Sequence, residues 1–94
     1  MVHGKRPPEE RKERDAARRL FGENLRDVLL RLDRSPEEVA DAVGVTTDAI
    51  YKYMRGVREP DIYTIRLLAR TLGVSIEGLI LGPRRGRLRV VGIE

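Results

Sequence analysis

Apolar residues recur at spacings of three and four from Ala17 through Phe21, Leu25, Val28 and Leu32, the repeat that places side chains on one face of an α-helix. Acid-before-base pairs accompany it, Glu10 with Arg14, Asp15 with Arg19 and Asp27 with Arg31, each at the i,i+4 spacing that supports a helix. The pattern predicts one long amphipathic helix from Pro8 to about Leu32. Ahead of it, MVHGKRPP carries glycine, proline and charge without an apolar period and reads as a flexible arm.

The next stretch, EEVADAVGVTTDAIYKYMRG from Glu37 to Gly56, changes rhythm around one glycine. A single long helix has no use for Gly44, which lowers helix stability by about 1 kcal/mol relative to alanine. Two short helices joined by a tight turn need it. Ser35-Pro36-Glu37-Glu38 has the makings of a helix start, with Ser35 as cap, Pro36 at the first helical position and Glu38 completing a capping box. A second helix is expected from Pro36 to about Ala42, ended by Gly44 in the left-handed conformation. Thr46 then caps a third helix running through Arg55 and closed by Gly56.

Glu59-Pro60-Asp61 marks a further break. Asp61 is the expected cap of a fourth helix whose Ile62, Ile65, Leu68, Ala69 and Leu72 face inward, with Gly73 as its stop. Ser75 begins a short fifth helix. Beyond Gly82-Pro83 the pattern becomes RRGRLRVVGIE, where Leu88 and Val90 alternate with Arg87, Arg89 and Val91 as in a half-exposed strand. A lone strand is not stable by itself, and a second copy of the chain is the simplest partner. The expected architecture is therefore all-α, five helices with an extended first helix and a short C-terminal β-strand pairing across a dimer. Residues 1–20 form the basic arm and helix extension, 21–82 the folded domain and 83–94 the terminal strand or tail.

Over about Phe21 to Gly82 this pattern resembles the helix-turn-helix of the lambda-repressor and Cro-like, or XRE-type, family. The matching residues have physical tasks. Ala40 is small where the second and third helices cross, Gly44 takes the positive φ, and Val39, Val43, Val45, Ile50 and Tyr53 fill the angle between helices. Arg55-Gly56-Val57-Arg58-Glu59-Pro60 is similar to the family's "RG-x-R-x-P" link, and LLARTLGVSIEGLI resembles its fourth and fifth helices.

The resemblance implies a DNA-binding domain whose third helix enters the major groove and reads base edges near its N-terminus. Thr47, Asp48, Tyr51 and Lys52 are the base-reading candidates by position. Lys52 can donate to guanine O6 and N7, Asp48 can accept from cytosine N4, and Thr47 can touch a base or a thymine methyl. Phosphate contacts fall to Arg34, Arg55, Arg58 and Tyr53, with backbone N–H groups at the start of the second helix as a further anion site. Three departures stand out. Pro36 replaces the family's common glutamine at the start of the second helix, Met54 replaces a common glutamate before the arginine-glycine pair, and Asp48 brings a negative charge towards the phosphates.

Charge refines this reading. The net charge is +4 and the pI near 10, a balance that favours an anionic partner. The surplus is uneven: residues 1–19 hold seven Lys/Arg against four Asp/Glu, residues 20–82 eight against ten, and residues 83–94 four against one. A nucleic-acid face in the slightly acidic middle must come from where its charges sit. Aromatic residues are limited to Phe21, Tyr51, Tyr53 and Tyr63, too few for the stacking platforms of single-strand or RNA binders, so double-stranded DNA is the expected partner.

Composition also excludes. With 94 residues the chain holds one domain with a small core. Cysteine is absent, which removes disulfides and thiolate metal sites. His3 is the only histidine, and Ser35 and Ser75, the only serines, already cap helices, so no enzyme, cofactor or metal site is expected. No apolar run approaches the roughly 20 residues of a membrane span, and a cytoplasmic protein is expected. The function expected is a transcriptional regulator that binds a pseudo-palindromic operator as a homodimer and represses, without a ligand-sensing domain. The alternatives are a helix-turn-helix scaffold for a protein partner, suggested by the acidic middle and Asp48, and an antitoxin-like autorepressor whose long first helix or terminal strand grips a toxin.

Overall fold

The computed structural model describes residues 8–82. Five helices follow one another: α1 (Pro8–Leu32), α2 (Pro36–Val43), α3 (Thr47–Met54), α4 (Ile62–Leu72) and α5 (Ile76–Leu81). The strand expected around Leu88 and Val90, its pairing across a dimer, and the arm before Pro8 lie outside the described residues.

Helix starts follow the local chemistry of their caps. Ser35 Oγ accepts from the Glu38 N–H at 3.1 Å, and Glu38 Oε1 accepts from the Ser35 N–H at 2.9 Å, closing the capping box with Pro36 at the first position. Thr46, Asp61 and Ser75 cap α3, α4 and α5 with a side-chain oxygen that accepts from the Ala49, Thr64 and Gly78 N–H groups. These bonds satisfy donors that a helix start would otherwise leave open. Gly44 ends α2 at φ 84°, its N–H donating to Ala40 O at 2.8 Å, a geometry that a residue without Cβ adopts freely. α2 runs one residue further than expected and α3 ends one earlier, at Met54, with Arg55 as its cap.

The core is a single cluster. Phe21, Leu25, Val28 and Leu29 of α1 meet Val39, Ala40 and Val43 of α2, Ala49, Ile50 and Tyr53 of α3, Leu68, Ala69 and Leu72 of α4, Val74, and Leu79 of α5. α1 packs against α3 and α5, and α2 against α3 and α4. One buried polar link completes it: Asn24 Nδ2 donates to Leu79 O at 2.7 Å, fixing α5 on α1.

Two expectations about inward faces need correction. Ile62, placed inward by period, is 77% exposed, because as the first residue of α4 it lies beyond the edge of the core that Leu68, Ala69 and Leu72 fill. Ala17 likewise is exposed. α1 is 25 residues long, about 37 Å at 1.5 Å per residue, and its buried residues begin only at Phe21. Of the expected ion pairs, Asp27–Arg31 forms at 3.1 Å. Asp15 pairs with Arg18, not Arg19. Arg14 reaches away from its own helix to Glu59, Nε to Oε1 at 3.1 Å, with Arg18 at 3.9 Å from the same oxygen.

Candidate nucleic-acid interface

α3 is short, and its sequence TDAIYKYM divides it cleanly. Ala49, Ile50 and Tyr53 are buried against α1 and α2, while Asp48 and Tyr51 are exposed and Thr47 and Lys52 half-exposed. At about 100° per residue, Thr47, Asp48, Tyr51, Lys52 and the following Arg55 span an arc of roughly 140° on the side away from the core. Every residue expected to read bases is thus brought to one open face. On it, Lys52 Nζ lies 3.1 Å from Asp48 Oδ2, one turn apart.

The link after α3 is held at both ends. Arg55, Gly56 and Val57 donate their N–H groups to Tyr51, Tyr53 and Lys52 carbonyls at 3.0, 3.0 and 3.1 Å. Further on, Glu59 is gripped by Arg14 and Arg18, and Pro60 is buried. Arg55 and Arg58 are exposed between these anchors and pair with no acid among the described residues. The nearby acids are engaged elsewhere: Glu59 pairs with Arg14 and Arg18 of α1, and Asp61 caps α4 at the Thr64 N–H. Two unneutralised guanidinium groups therefore flank the α3 face.

Two other phosphate expectations change. Tyr53 is 6% exposed; its ring is a core residue, as its wedge role between helices requires, and not a surface contact. The start of α2 carries Glu37 and Glu38 in its first turn. Its Glu38 N–H is taken by Ser35, so that donor is not open to a phosphate. The capping box holds the Glu38 carboxyl below its ordinary value, chiefly through the Ser35 backbone N–H, which keeps the negative charge there. Arg34 stands close by, its Nε 3.9 Å from Glu38 Oε1. Val45 is partly buried and packs on the core, its N–H donating to Ala40 O at 3.1 Å.

The sequence reading missed what seats α3. Gly22 of α1 is buried under the end of α3: a Cβ there would lie 2.5 Å from Tyr53 O and 2.6 Å from Met54 O. One turn later, Arg26 donates from its NH2 group to Met54 O at 2.9 Å, capping a carbonyl left open at the helix end. The signal was a glycine inside a strong helical pattern, which helix propensity alone disfavours.

Residues 25–79 match the family model described as Helix-turn-helix. The chain belongs to the XRE-type helix-turn-helix family. It is 36% identical over 63 residues to the SPbeta prophage-derived HTH-type transcriptional regulator YonR of Bacillus subtilis (strain 168), a match covering 67% of this chain and 58% of that protein. It is 33% identical over 61 residues to the cryptic phage CTXphi transcriptional repressor RstR of Vibrio cholerae, covering 65% of this chain and 55% of that one. The chain thus spans little more than half the length of these relatives. Its fold is similar to that of the clp gene regulator ClgR from Corynebacterium glutamicum, with a TM-score of 0.68 at 20% identity over 72% of each chain. Among the described residues, no helix is long and apolar enough to cross a membrane, and no group of three or more His, Asp or Glu could hold a metal ion.

Proposed function

We propose that this protein is a sequence-specific, double-stranded DNA-binding transcriptional regulator, acting as a repressor on a pseudo-palindromic operator as a homodimer. The observation that carries this reading is the division of α3, with Ala49, Ile50 and Tyr53 buried and Thr47, Asp48, Tyr51 and Lys52 presented together beside the free cations Arg55 and Arg58. An eight-residue helix with one face locked in the core and the other polar is a form that fits the major groove. The named roles of YonR and RstR as regulator and repressor support the same reading.

In this account Thr47, Asp48, Tyr51 and Lys52 face base edges, and Arg55, Arg58 and Arg34 hold phosphates and set register. Two copies would place their α3 helices about 34 Å apart, one turn of duplex, and occupancy would exclude polymerase. Selection of random duplex DNA against the full chain tests this, with Lys52→Ala and Thr47→Ala in parallel. The expected result is a two-fold symmetric site with half-sites about ten base pairs apart, lost in the variants. Absence of any enriched motif would instead favour a protein-interaction role for the same scaffold.

A further inference from the structure

The charges on the reading face cancel. Lys52 is the only Lys or Arg within α3 and Asp48 its only acid, and the two are joined at 3.1 Å with the carboxylate side chain 68% exposed and the ammonium side chain 38% exposed. The pair has the acid-before-base orientation that suits an i,i+4 ion pair. An exposed pair of this kind contributes little to folding stability, so its place on this face calls for another account.

We infer that Asp48 is a specificity-determining residue which keeps Lys52 from acting as a general phosphate contact, so that the pair opens only where a base pair engages both charges. This rests on the reading that α3 enters the major groove of DNA. On duplex of arbitrary sequence, the joined pair carries no net charge and displaces none of the counterions condensed on the DNA. Non-specific binding is weakened accordingly. At a C·G pair the partners change: Asp48 accepts from cytosine N4–H while Lys52 donates to guanine O6 and N7. Both charges are then served by one base pair, and breaking the weak intrahelical contact is offset. The pair therefore lowers total affinity and raises the ratio of specific to non-specific binding, the quantity that matters where competing sites are abundant.

The alternative role for Asp48 is local, an acid in the first turn that suits the helix dipole. The test separates the two. The full chain, Asp48→Ala, Asp48→Asn and the double variant Asp48→Ala/Lys52→Met are titrated with the duplex enriched by the wild-type chain and with an unrelated duplex, between 50 and 200 mM salt, with thermal melting alongside. One added phosphate contact steepens the salt slope by about 0.9 and tightens binding near 0.1 M salt by roughly eightfold. Both single variants should show that gain on the unrelated duplex, Asp48→Ala should lose discrimination by about tenfold, and Lys52→Met in the Ala background should abolish the gain. Unchanged affinity and slope on unrelated DNA, with or without a lowered melting temperature, would overturn the inference. So would an equal gain on both duplexes. A wild-type chain that binds neither duplex at 50 mM salt would overturn the DNA-binding reading itself.

Discussion

Gly22 and Met54 are in backbone contact: a Cβ at Gly22 would stand 2.6 Å from the Met54 carbonyl oxygen, and 2.5 Å from that of Tyr53. Since Met54 ends α3, this contact sets how far α1 lets α3 settle into the core. Gly22→Ala should gain about 1 kcal/mol of helix propensity and still destabilise the fold by a net of about 1–3 kcal/mol through overpacking against backbone. Thermal melting checks the sign. A variant more stable than the parent would show that α1 and α3 separate easily.

The capping box of α2 gives a second expectation. Ser35→Ala removes the acceptor for Glu38 N–H and should lower stability by about 1 kcal/mol, measured by denaturant midpoint. Glu38→Gln should be milder, because a glutamine Oε1 still accepts from the Ser35 N–H.

The same box and the Asp61 cap set a pH dependence. Glu38 lies below its ordinary 4.5, mainly through the Ser35 backbone N–H, and Asp61 below its ordinary 3.8, mainly through the Thr64 backbone N–H. A depressed carboxyl stabilises the fold above its unfolded value and loses that contribution as pH falls through its folded value. Stability should therefore hold steady above about pH 5 and decline below 4.5 and 3.8 in turn. Melting curves of the parent and of Glu38→Gln/Asp61→Asn should converge towards low pH; a constant gap between them would contradict the assignment.

Asp33 closes α1 in the left-handed region at φ 54°, with its N–H donating to Leu30 O at 3.2 Å and that of Arg34 to Leu29 O at 3.0 Å. That conformation is unfavourable for a residue with a Cβ by about 1–2 kcal/mol, less for Asp, which bonds locally. Asp33→Gly should raise stability by about 0.5–1 kcal/mol, readable as a higher melting temperature; a lower one would mean that the Asp33 side chain supplies a contact worth more than the strain.

What was legible in the sequence is local. Caps at Ser35, Thr46, Asp61 and Ser75 and the left-handed turn at Gly44 follow from bonds within three or four residues, and each stands where its chemistry predicts. The outward set Thr47, Asp48, Tyr51 and Lys52 follows from period once the buried Ile50 and Tyr53 are fixed. Contacts across long separations were not legible. Glu59 could not be matched to Arg14, 45 residues away, nor Asn24 to Leu79 O, 55 away, because any of several acids or carbonyls satisfies the same local pattern. Ile62 was misplaced for a related reason: period gives the direction of a stripe, not where the core beneath it ends.

The link arginines make the electrostatic side of the account measurable. Arg55→Ala and Arg58→Ala should each weaken binding to specific and unrelated duplexes alike and reduce the magnitude of the salt slope by about 0.9. Loss confined to one sequence would instead make that arginine a base reader.

Among the described residues, the surface held to meet DNA is the polar face of α3 with Arg34, Arg55 and Arg58 around it. Amide chemical shifts of the labelled full chain, followed on titration with the enriched duplex, test it most directly. The largest changes are expected at Thr47–Lys52 and at Arg55 and Arg58, with smaller ones near Arg34, and little change at Leu79 or Ile80 of α5. Shifts gathered instead along α5 and the exposed start of α1, with Thr47–Lys52 unmoved, would contradict it.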